Sequence, residues 1–247
     1  YARVRPSSDE YATAQARLAF TYEQEGNRAE ALRLTEAAAR AAPEDRTVQL
    51  AYADVLRAAD RNAEAAAVVD RLIARGDPAK PDWRLLYLRG VSHERAGDWP
   101  AAERDLQAAL KLNPEEPEIL NYLGYAWIDR GERLTEAFGM IERAVALRPE
   151  SGAIVDSLGW AHYRLGRFPE AVTQLERAVE LEPADPTIND HLGDAYWRVG
   201  RRDEARFQWR RALTLDPDAK LKAAAEAKLA NGLGPAGPAP ATAVARP

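Results

Sequence analysis

Apolar residues along this chain recur at helical spacing, in pairs of short segments separated by turn residues. In residues 152–183 the apolar positions of each half fall three and four residues apart, which places their side chains on one face of a helix. Gly166 separates the two halves and Pro183 closes the second. Because glycine favours the left-handed turn that ends a helix and proline stops a helix, the pattern predicts a helical hairpin. Each helix alone buries little apolar surface, so the hairpin needs neighbours.

The same hairpin returns with a fixed period. Six residues recur 34 positions later, namely Leu158, Gly159, Gly166, Ala171, Ala178 and Pro183, as Leu192, Gly193, Gly200, Ala205, Ala212 and Pro217. A period of that size is typical of a solenoid. The repeat resembles the tetratricopeptide repeat family. That resemblance implies an all-α fold, a right-handed α-solenoid of about six helical hairpins plus a C-terminal capping helix.

Small residues stand where the two helices of a hairpin must approach each other. Gly159 on the first helix and Ala171 on the second lack bulk at the crossing, and Ala178 leaves room for the next hairpin. Since added volume in a close helix contact forces strain, Gly159→Leu is expected to disrupt the hairpin.

Matching the pattern along the chain divides it into four parts. These are residues 1–79 with two divergent repeats, 80–217 with repeats three to six, 218–231 as a capping helix, and 232–247 as a disordered tail rich in proline and alanine. Residues 1–6 resemble a lead-in, and Ser7 or Ser8 is a suitable helix start. Asp60 replaces the usual turn glycine of the second repeat. Two prolines within residues 76–82 predict an interruption of the stacking or a hinge.

Composition narrows the class of protein. The chain has 247 residues, is 46% hydrophobic and 30% charged, and contains no apolar run near the length of about 20 residues that spans a membrane. Its formal charge of −5 argues against a dedicated nucleic-acid binder. The absence of cysteine excludes disulfides, thiolate metal sites and cysteine nucleophiles. The chain begins at Tyr1 rather than methionine, which suggests a mature product or an excised domain.

Catalytic chemistry finds little support in the residue pattern. The three histidines are His93, His162 and His191, and the first two occupy a slot that holds core aromatics in other repeats. No zinc-ligand spacing occurs, no serine lies in a nucleophile elbow, and the glycines fall singly at places that the repeat determines. We therefore predict no catalytic, metal or cofactor site, and interpret the histidines as packed side chains.

The resemblance instead implies a concave groove lined by the first helices, which binds an extended or helical peptide of another protein. The matching residues are Arg84, Tyr87, Asn121, Tyr125, Asp129, Asp156, Trp160, Tyr163, Arg164, Asp190, Asp194, Trp197 and Arg198. Tyr125, Trp160 and Trp197 lie off the core face, so they are candidates for exposed aromatics that anchor an interface. The alternative is that each packs on the next first helix and rigidifies the array.

A row of polar residues falls at equivalent positions of three successive repeats. Asn121, Asp156 and Asp190 form this row. Their oxygens could accept from peptide amides, receive an arginine or lysine side chain, or bridge one helix to the next. The family's dicarboxylate clamp needs lysine where this row has aspartate, so that particular mode is not supported.

A closer resemblance covers under half of the chain. Residues from Leu120 to Leu213 are similar to the C-terminal repeats of bacterial cell-envelope tetratricopeptide proteins, some of which are outer-membrane lipoproteins that act as adaptors for carboxyl-terminal processing proteases. The likeness implies a non-catalytic scaffold or adaptor in the periplasm or at the outer membrane, with an envelope protease or its substrates as partner. The lipid-modified cysteine of such lipoproteins is missing, and the cytoplasm stays open. The rival hypothesis is a structural spacer or self-assembling module, whose groove holds its own chain or a second copy.

Overall fold

The computed structural model describes residues 11–235, and within that range the regular secondary structure is entirely α-helical. The helices are α1 (Tyr11–Gln24), α2 (Arg28–Ala41), α3 (Arg46–Ala58), α4 (Asn62–Arg75), α5 (Trp83–Arg95), α6 (Trp99–Leu112), α7 (Pro117–Arg130), α8 (Leu134–Leu147), α9 (Gly152–Arg164), α10 (Phe168–Leu181), α11 (Pro186–Arg198), α12 (Arg202–Thr214) and α13 (Ala219–Asn231). The first twelve pair into six hairpins and α13 follows alone. This confirms the predicted all-α helical-repeat fold. The predicted lead-in, the helix start at Ser7 or Ser8, and residues 236–247 of the predicted tail lie outside the described residues.

The chain forms two compact units that meet in sequence between Pro114 and Glu115. In the first unit, α4 and α5 contact each other across residues 76–82. Leu72 of α4 and Leu85 of α5 belong to one buried apolar cluster. Stacking therefore continues through the segment where two prolines had predicted an interruption.

Turn chemistry sets the ends of the helices. Gly166, after α9, adopts a left-handed conformation with φ of 74°, as its position predicted. Asp60 takes the same region with φ of 57°, because an aspartate tolerates the left-handed turn that glycine usually makes. The carboxylate of Asp185 accepts hydrogen bonds from the amides of Thr187 and Ile188 and so caps the start of α11.

Close approach of the paired helices explains the small residues. A Cβ atom placed on Gly159 of α9 would lie 2.5 Å from Cγ of Leu175 on α10. One placed on Gly193 of α11 would lie 2.5 Å from the ring of Trp209 on α12. Both helix pairs therefore require glycine at the crossing.

The second unit places its first helices side by side. α7 contacts α9 and α9 contacts α11, while α10 packs against both α9 and α11. We call the layer of α7, α9 and α11 the first-helix layer. Between α10, α11 and α12 lies a buried apolar cluster that includes Leu175, Leu192 and the fully buried Trp209. The last helix, α13, packs on α12.

Within residues 11–235, every helix is too short or too polar to span a bilayer.

Candidate protein-binding surface

The predicted site residues divide between the two units. Arg84 and Tyr87 lie on α5 of the first unit, where Arg84 is exposed and Tyr87 is half-buried. The remaining eleven lie on the first-helix layer of the second unit, namely Asn121, Tyr125 and Asp129 on α7, Asp156, Trp160, Tyr163 and Arg164 on α9, and Asp190, Asp194, Trp197 and Arg198 on α11. Contacts between neighbouring first helices bring most of this second group together.

Trp160 lies in the middle of an aromatic stack. Its ring stacks on Tyr163 of the same helix, with centroids 4.8 Å apart and 7° between the planes. It also stacks on His191 of α11, with centroids 4.1 Å apart and 15° between the planes. The expected exposed aromatics are in fact half-buried, because Trp160 packs on the next first helix, Trp197 packs on Trp209, and Tyr125 is partly covered.

His191 forms a buried ion pair with an acidic residue of the row predicted from the repeats. Its Nδ1 lies 3.0 Å from both carboxylate oxygens of Asp156. Burial opposes the charged imidazolium, but the negative charges of Asp156, Asp194 and Asp190 more than offset it, so the pKa of His191 is raised above its ordinary value. Asp156 therefore bridges α9 to α11, which is one of the uses that the sequence had left open.

His162 lies in the opposite electrostatic environment. It packs edge-on against Phe138, with ring centroids 5.0 Å apart. Burial, together with the positive charge of Arg167, lowers the pKa of His162 below its ordinary value.

We expect the two histidines to titrate on opposite sides of the ordinary value of about 6.5. The stability that His191 contributes is fully present below the unfolded-state pKa and is lost as pH rises through its raised folded-state pKa. His162, whose folded-state pKa is lowered, contributes stability above the unfolded-state pKa that is lost as pH falls through the folded value. Imidazole proton chemical shifts followed from pH 5 to 9 measure both pKa values, and His191→Gln and His162→Gln assign the signals. A His191 signal that titrates below that of His162 would contradict this electrostatic account.

A second buried charge cluster joins α11 to α13. The ammonium of Lys228 lies 2.6 Å from Oδ2 of Asp190 and 2.8 Å from Oδ1 of Asp194. Asp194 Oδ1 also accepts a hydrogen bond of 2.9 Å from Nε1 of Trp209. Burial and the neighbouring Asp190 raise the pKa of Asp194 although Lys228 opposes the shift, while the two carboxylates hold the pKa of Lys228 above its ordinary value despite burial.

The residues that follow α13 cover the predicted groove residues of α11. Nε1 of Trp197 donates to the carbonyl oxygen of Leu233 at 3.2 Å, and Nη1 of Arg198 donates to that of Gly234 at 2.5 Å. Gly232 has φ of 72°, and a Cβ there would lie 2.2 Å from Cζ2 of Trp197. The first residues of the predicted disordered tail are therefore held against α11.

Six buried polar atoms of the first-helix layer have no hydrogen-bond partner among the described residues. They are Oε2 of Glu118 and Oδ1 of Asn121 on α7, Nε1 of Trp160 and Nδ1 of His162 on α9, and the Oδ1 atoms of Asn189 and Asp190 on α11. Leaving a buried donor or acceptor unpaired costs about 1–3 kcal/mol, so native proteins rarely keep such atoms. Among the described residues of the second unit, each first helix carries two atoms of this kind, whereas α10 and α12 carry one each, so unpaired polar atoms are concentrated in the first-helix layer.

Two of the groups that shape this surface were missed from the sequence. His191 was interpreted only as a packed histidine, and Lys228 was not among the predicted site residues. A usable signal existed for Lys228, because Asp190 and Asp194 stand four residues apart on the groove side of one helix and need a cation. Among the described residues, no three histidine, aspartate or glutamate side chains are grouped so that they could hold a metal ion.

Comparison with known proteins points to one family. Models described as tetratricopeptide repeat match residues 11–81, 87–152 and 186–219, and a model described as TPR repeat matches residues 159–200. The TPR repeat-containing protein PA4667 of Pseudomonas aeruginosa is 40% identical over 86 residues, which cover 35% of this chain and 15% of that protein. The human protein O-mannosyl-transferase TMTC1 is 26% identical over 160 residues, which cover 61% of this chain and 17% of that protein. The chain thus spans less than a fifth of the length of either relative.

Among solved structures, the crystal structure of the APC/C hetero-tetramer Cut9-Hcn1 superposes with a TM-score of 0.75 and 18% identity. The superposition covers 92% of this chain and 44% of that one. At 18% identity, this likeness shows a shared fold and nothing more.

Proposed function

Since the chain belongs to the tetratricopeptide repeat family, we propose that it is a non-catalytic binding module that holds a partner polypeptide along the first-helix layer of its second unit. Tetratricopeptide repeat proteins generally mediate protein–protein interactions. The observation that carries the proposal is the concentration of unpartnered buried polar atoms in this layer, among them Oδ1 of Asn121 and Nε1 of Trp160 on neighbouring first helices. A polypeptide main chain supplies both kinds of group that these two atoms need, a carbonyl oxygen for the Trp160 donor and an amide for the Asn121 acceptor.

Aromatic surface beside these atoms supports the same proposal. Tyr125 and Trp160 are half-buried on neighbouring first helices, so each residue is still partly open to solvent. Aromatic side chains with a polar atom at one edge are enriched among the residues that dominate binding energy. The stack with His191 holds the Trp160 ring in place before binding, which lowers the entropic cost of association.

Peptide selection on the full chain tests the proposal. We expect selected peptides to photocrosslink to a Tyr125→p-benzoylphenylalanine variant and not to Phe207→p-benzoylphenylalanine, since Phe207 is 61% exposed on α12, outside the first-helix layer. Trp160→Ala should weaken the selected peptides by roughly 30-fold, which corresponds to about 2 kcal/mol. Phe207→Ala is the matched aromatic control and should leave the affinity unchanged. Equal crosslinking at the two positions, with affinity indifferent to Trp160→Ala, would remove the first-helix layer as the binding surface.

A self-occupied surface is favoured by one specific observation at the α11 end. Trp197 and Arg198 already bond to the chain's own residues 233 and 234. For that end we propose that the chain's own segment is the resident occupant, while Asn121, Tyr125 and Trp160 face the partner.

For the cellular setting we propose the bacterial periplasm or the outer membrane, with an envelope protease or its substrates as partner. The proposal is supported by the resemblance of residues 120–213 to cell-envelope tetratricopeptide proteins. Fractionation of the source cells, followed by detection with an antibody against this chain, tests the location. Recovery in the cytosolic fraction alone would reject it.

A further inference from the structure

We propose that α13 together with residues 232–234 is an internal ligand, which a cationic helix of the partner polypeptide displaces by placing its own lysine between Asp190 and Asp194. The proposal deepens the proposed function and rests on it in one respect, that the partner follows the first-helix layer to its α11 end. In this proposal Asp190 and Asp194 recognise the lysine of the partner, and α13 competes with the partner for the same two carboxylates.

The packing of α13 is much weaker than that of its neighbours. Ala225 is its one fully buried residue, whereas α12 buries three residues and α11 buries nine. Leu229 packs beside the apolar cluster and is partly buried. An element with so little buried apolar surface opens at a lower free-energy cost than α11 or α12, as expected of a segment that a ligand replaces.

The contacts that hold this segment are of a kind that another polypeptide can make. Lys228 inserts one ammonium between two carboxylates. Four residues after Lys228, Gly232 lets the main chain pass close to Trp197. The carbonyl oxygens of Leu233 and Gly234 then accept hydrogen bonds from Trp197 and Arg198. The requirements are therefore a lysine at the end of a helix, a glycine one turn later, and an extended segment after it.

The carboxylate pair also has unused capacity for a cation. Asp190 is 4% exposed, and its Oδ1 has no hydrogen-bond partner among the described residues. Asp156 pairs with His191, so the two carboxylates of Asp190 and Asp194 share the one ammonium of Lys228. This excess of one negative charge favours a cationic occupant over a neutral or acidic one.

Because α13 is tethered, it competes at an effective concentration of about millimolar. A partner can bind only the chains in which α13 is undocked. Its apparent association constant is therefore the intrinsic one multiplied by the undocked fraction. Weakening the internal ligand, while leaving the carboxylate pair intact, should raise the apparent affinity for a ligand added from outside.

A peptide with the sequence of residues 218–235 serves as the probe, with a fluorophore at its N-terminus. The receptor is the full chain carrying Lys228→Met and Gly232→Val, in which the internal lysine is removed and the new Cβ meets Trp197. We expect the peptide to bind this variant at least tenfold more tightly than the wild-type chain. The same peptide with Lys228→Met should bind the variant at least tenfold more weakly than the unchanged peptide.

The matched control receptor is the full chain with Lys222→Met and Gly139→Ala. Lys222 is exposed on α13, Gly139 is exposed on α8, and a Cβ on Gly139 meets no atom within 4 Å, so this receptor should bind like the wild type. Equal binding of the two peptides to the test receptor, or no binding at all, overturns the proposal. Reversible dimerisation of the wild-type chain at the same concentrations assigns the site to a second copy and overturns it as well.

Hydrogen exchange on the wild-type chain decides the case if the test receptor does not fold. Amides of α13 should exchange at least 100-fold faster than those of α11, and comparable protection of the two helices would overturn the proposal. Neither experiment involves Tyr125 or Trp160, so the crosslinking test of the proposed function and this test of the internal ligand can fail separately.

Discussion

Gly159→Leu is expected to lower the free energy of unfolding by about 3 kcal/mol or more, the upper end of the usual range for overpacking. The Cβ alone would lie 2.5 Å from Cγ of Leu175 and 3.2 Å from its backbone nitrogen. A side-chain contact can relax by a rotamer change, but the backbone nitrogen moves only if α9 and α10 separate. That separation also disturbs the packing against α11, since α10 contacts both first helices. Urea unfolding followed by tryptophan fluorescence and circular dichroism measures the loss.

Gly139→Ala is the matched control in a neighbouring helix. Gly139 lies exposed on α8, and a Cβ there meets no atom within 4 Å. Because alanine is the better helix former, this change should raise the free energy of unfolding by about 0.5–1 kcal/mol. Opposite signs for the two glycines are therefore expected, and a Gly159→Leu protein that unfolds at the wild-type urea concentration would disprove the close helix crossing.

This close crossing is a part of the fold that the sequence predicts well. Gly90, Gly124, Gly159 and Gly193 stand at equivalent positions of four repeats, and in each a Cβ would come within 3 Å of a side chain on the second helix. The constraint lies inside one hairpin, between residues close in sequence, and it recurs with the period. Local, repeated constraints of this kind leave a pattern that a single sequence displays.

The polar pairings of the first-helix layer, in contrast, are not predicted by the repeat pattern. Asp156 and Asp190 occupy equivalent positions, yet one pairs with a histidine on α11 and the other with a lysine on α13. Such a pairing depends on the offset between neighbouring hairpins and on side-chain rotamers, neither of which the period specifies. The row of acceptors was visible in the sequence, whereas the partner of each acceptor was not.

The exposure of the aromatic residues was misjudged for a related reason. Helical spacing places Trp160 off the face that packs on α10, and the sequence alone then suggests that its ring is exposed. The neighbouring first helix supplies a second contact surface, because His191 on α11 stacks on the ring. A residue in a repeat protein has neighbours both within its hairpin and in the next one, and helical periodicity describes only the first set.

Lys228→Met is the second substitution with a large expected effect, a loss of about 3 kcal/mol in the free energy of unfolding at pH 7. It leaves the carboxylates of Asp190 and Asp194, whose side chains are 6% and 8% exposed, without a cation. The loss should fall at the lower end of the range for broken buried ion pairs, because α13 can come away and let water reach the carboxylates. Urea unfolding measures the global loss, and hydrogen exchange of α13 shows how much of it is local.

The pH dependence of this loss distinguishes electrostatics from lost packing. A carboxyl group whose folded-state pKa is raised, as for Asp194, contributes stability that is present below its unfolded-state pKa and is lost as pH rises through the folded value. Removing Lys228 raises that pKa further, so the deficit of the variant should shrink as pH falls from 7 toward about 4. A loss caused only by the missing methylene groups would not change over this range.

Two further variants complete the comparison. Lys222→Met removes an exposed lysine from the same helix and should change the free energy of unfolding by less than about 0.5 kcal/mol. Adding Asp190→Asn to Lys228→Met should restore part of the lost stability, because it removes one of the two uncompensated charges while nearly keeping the side-chain volume. If the double variant is instead less stable than Lys228→Met alone, the uncompensated charge of Asp190 is not the cause of the loss.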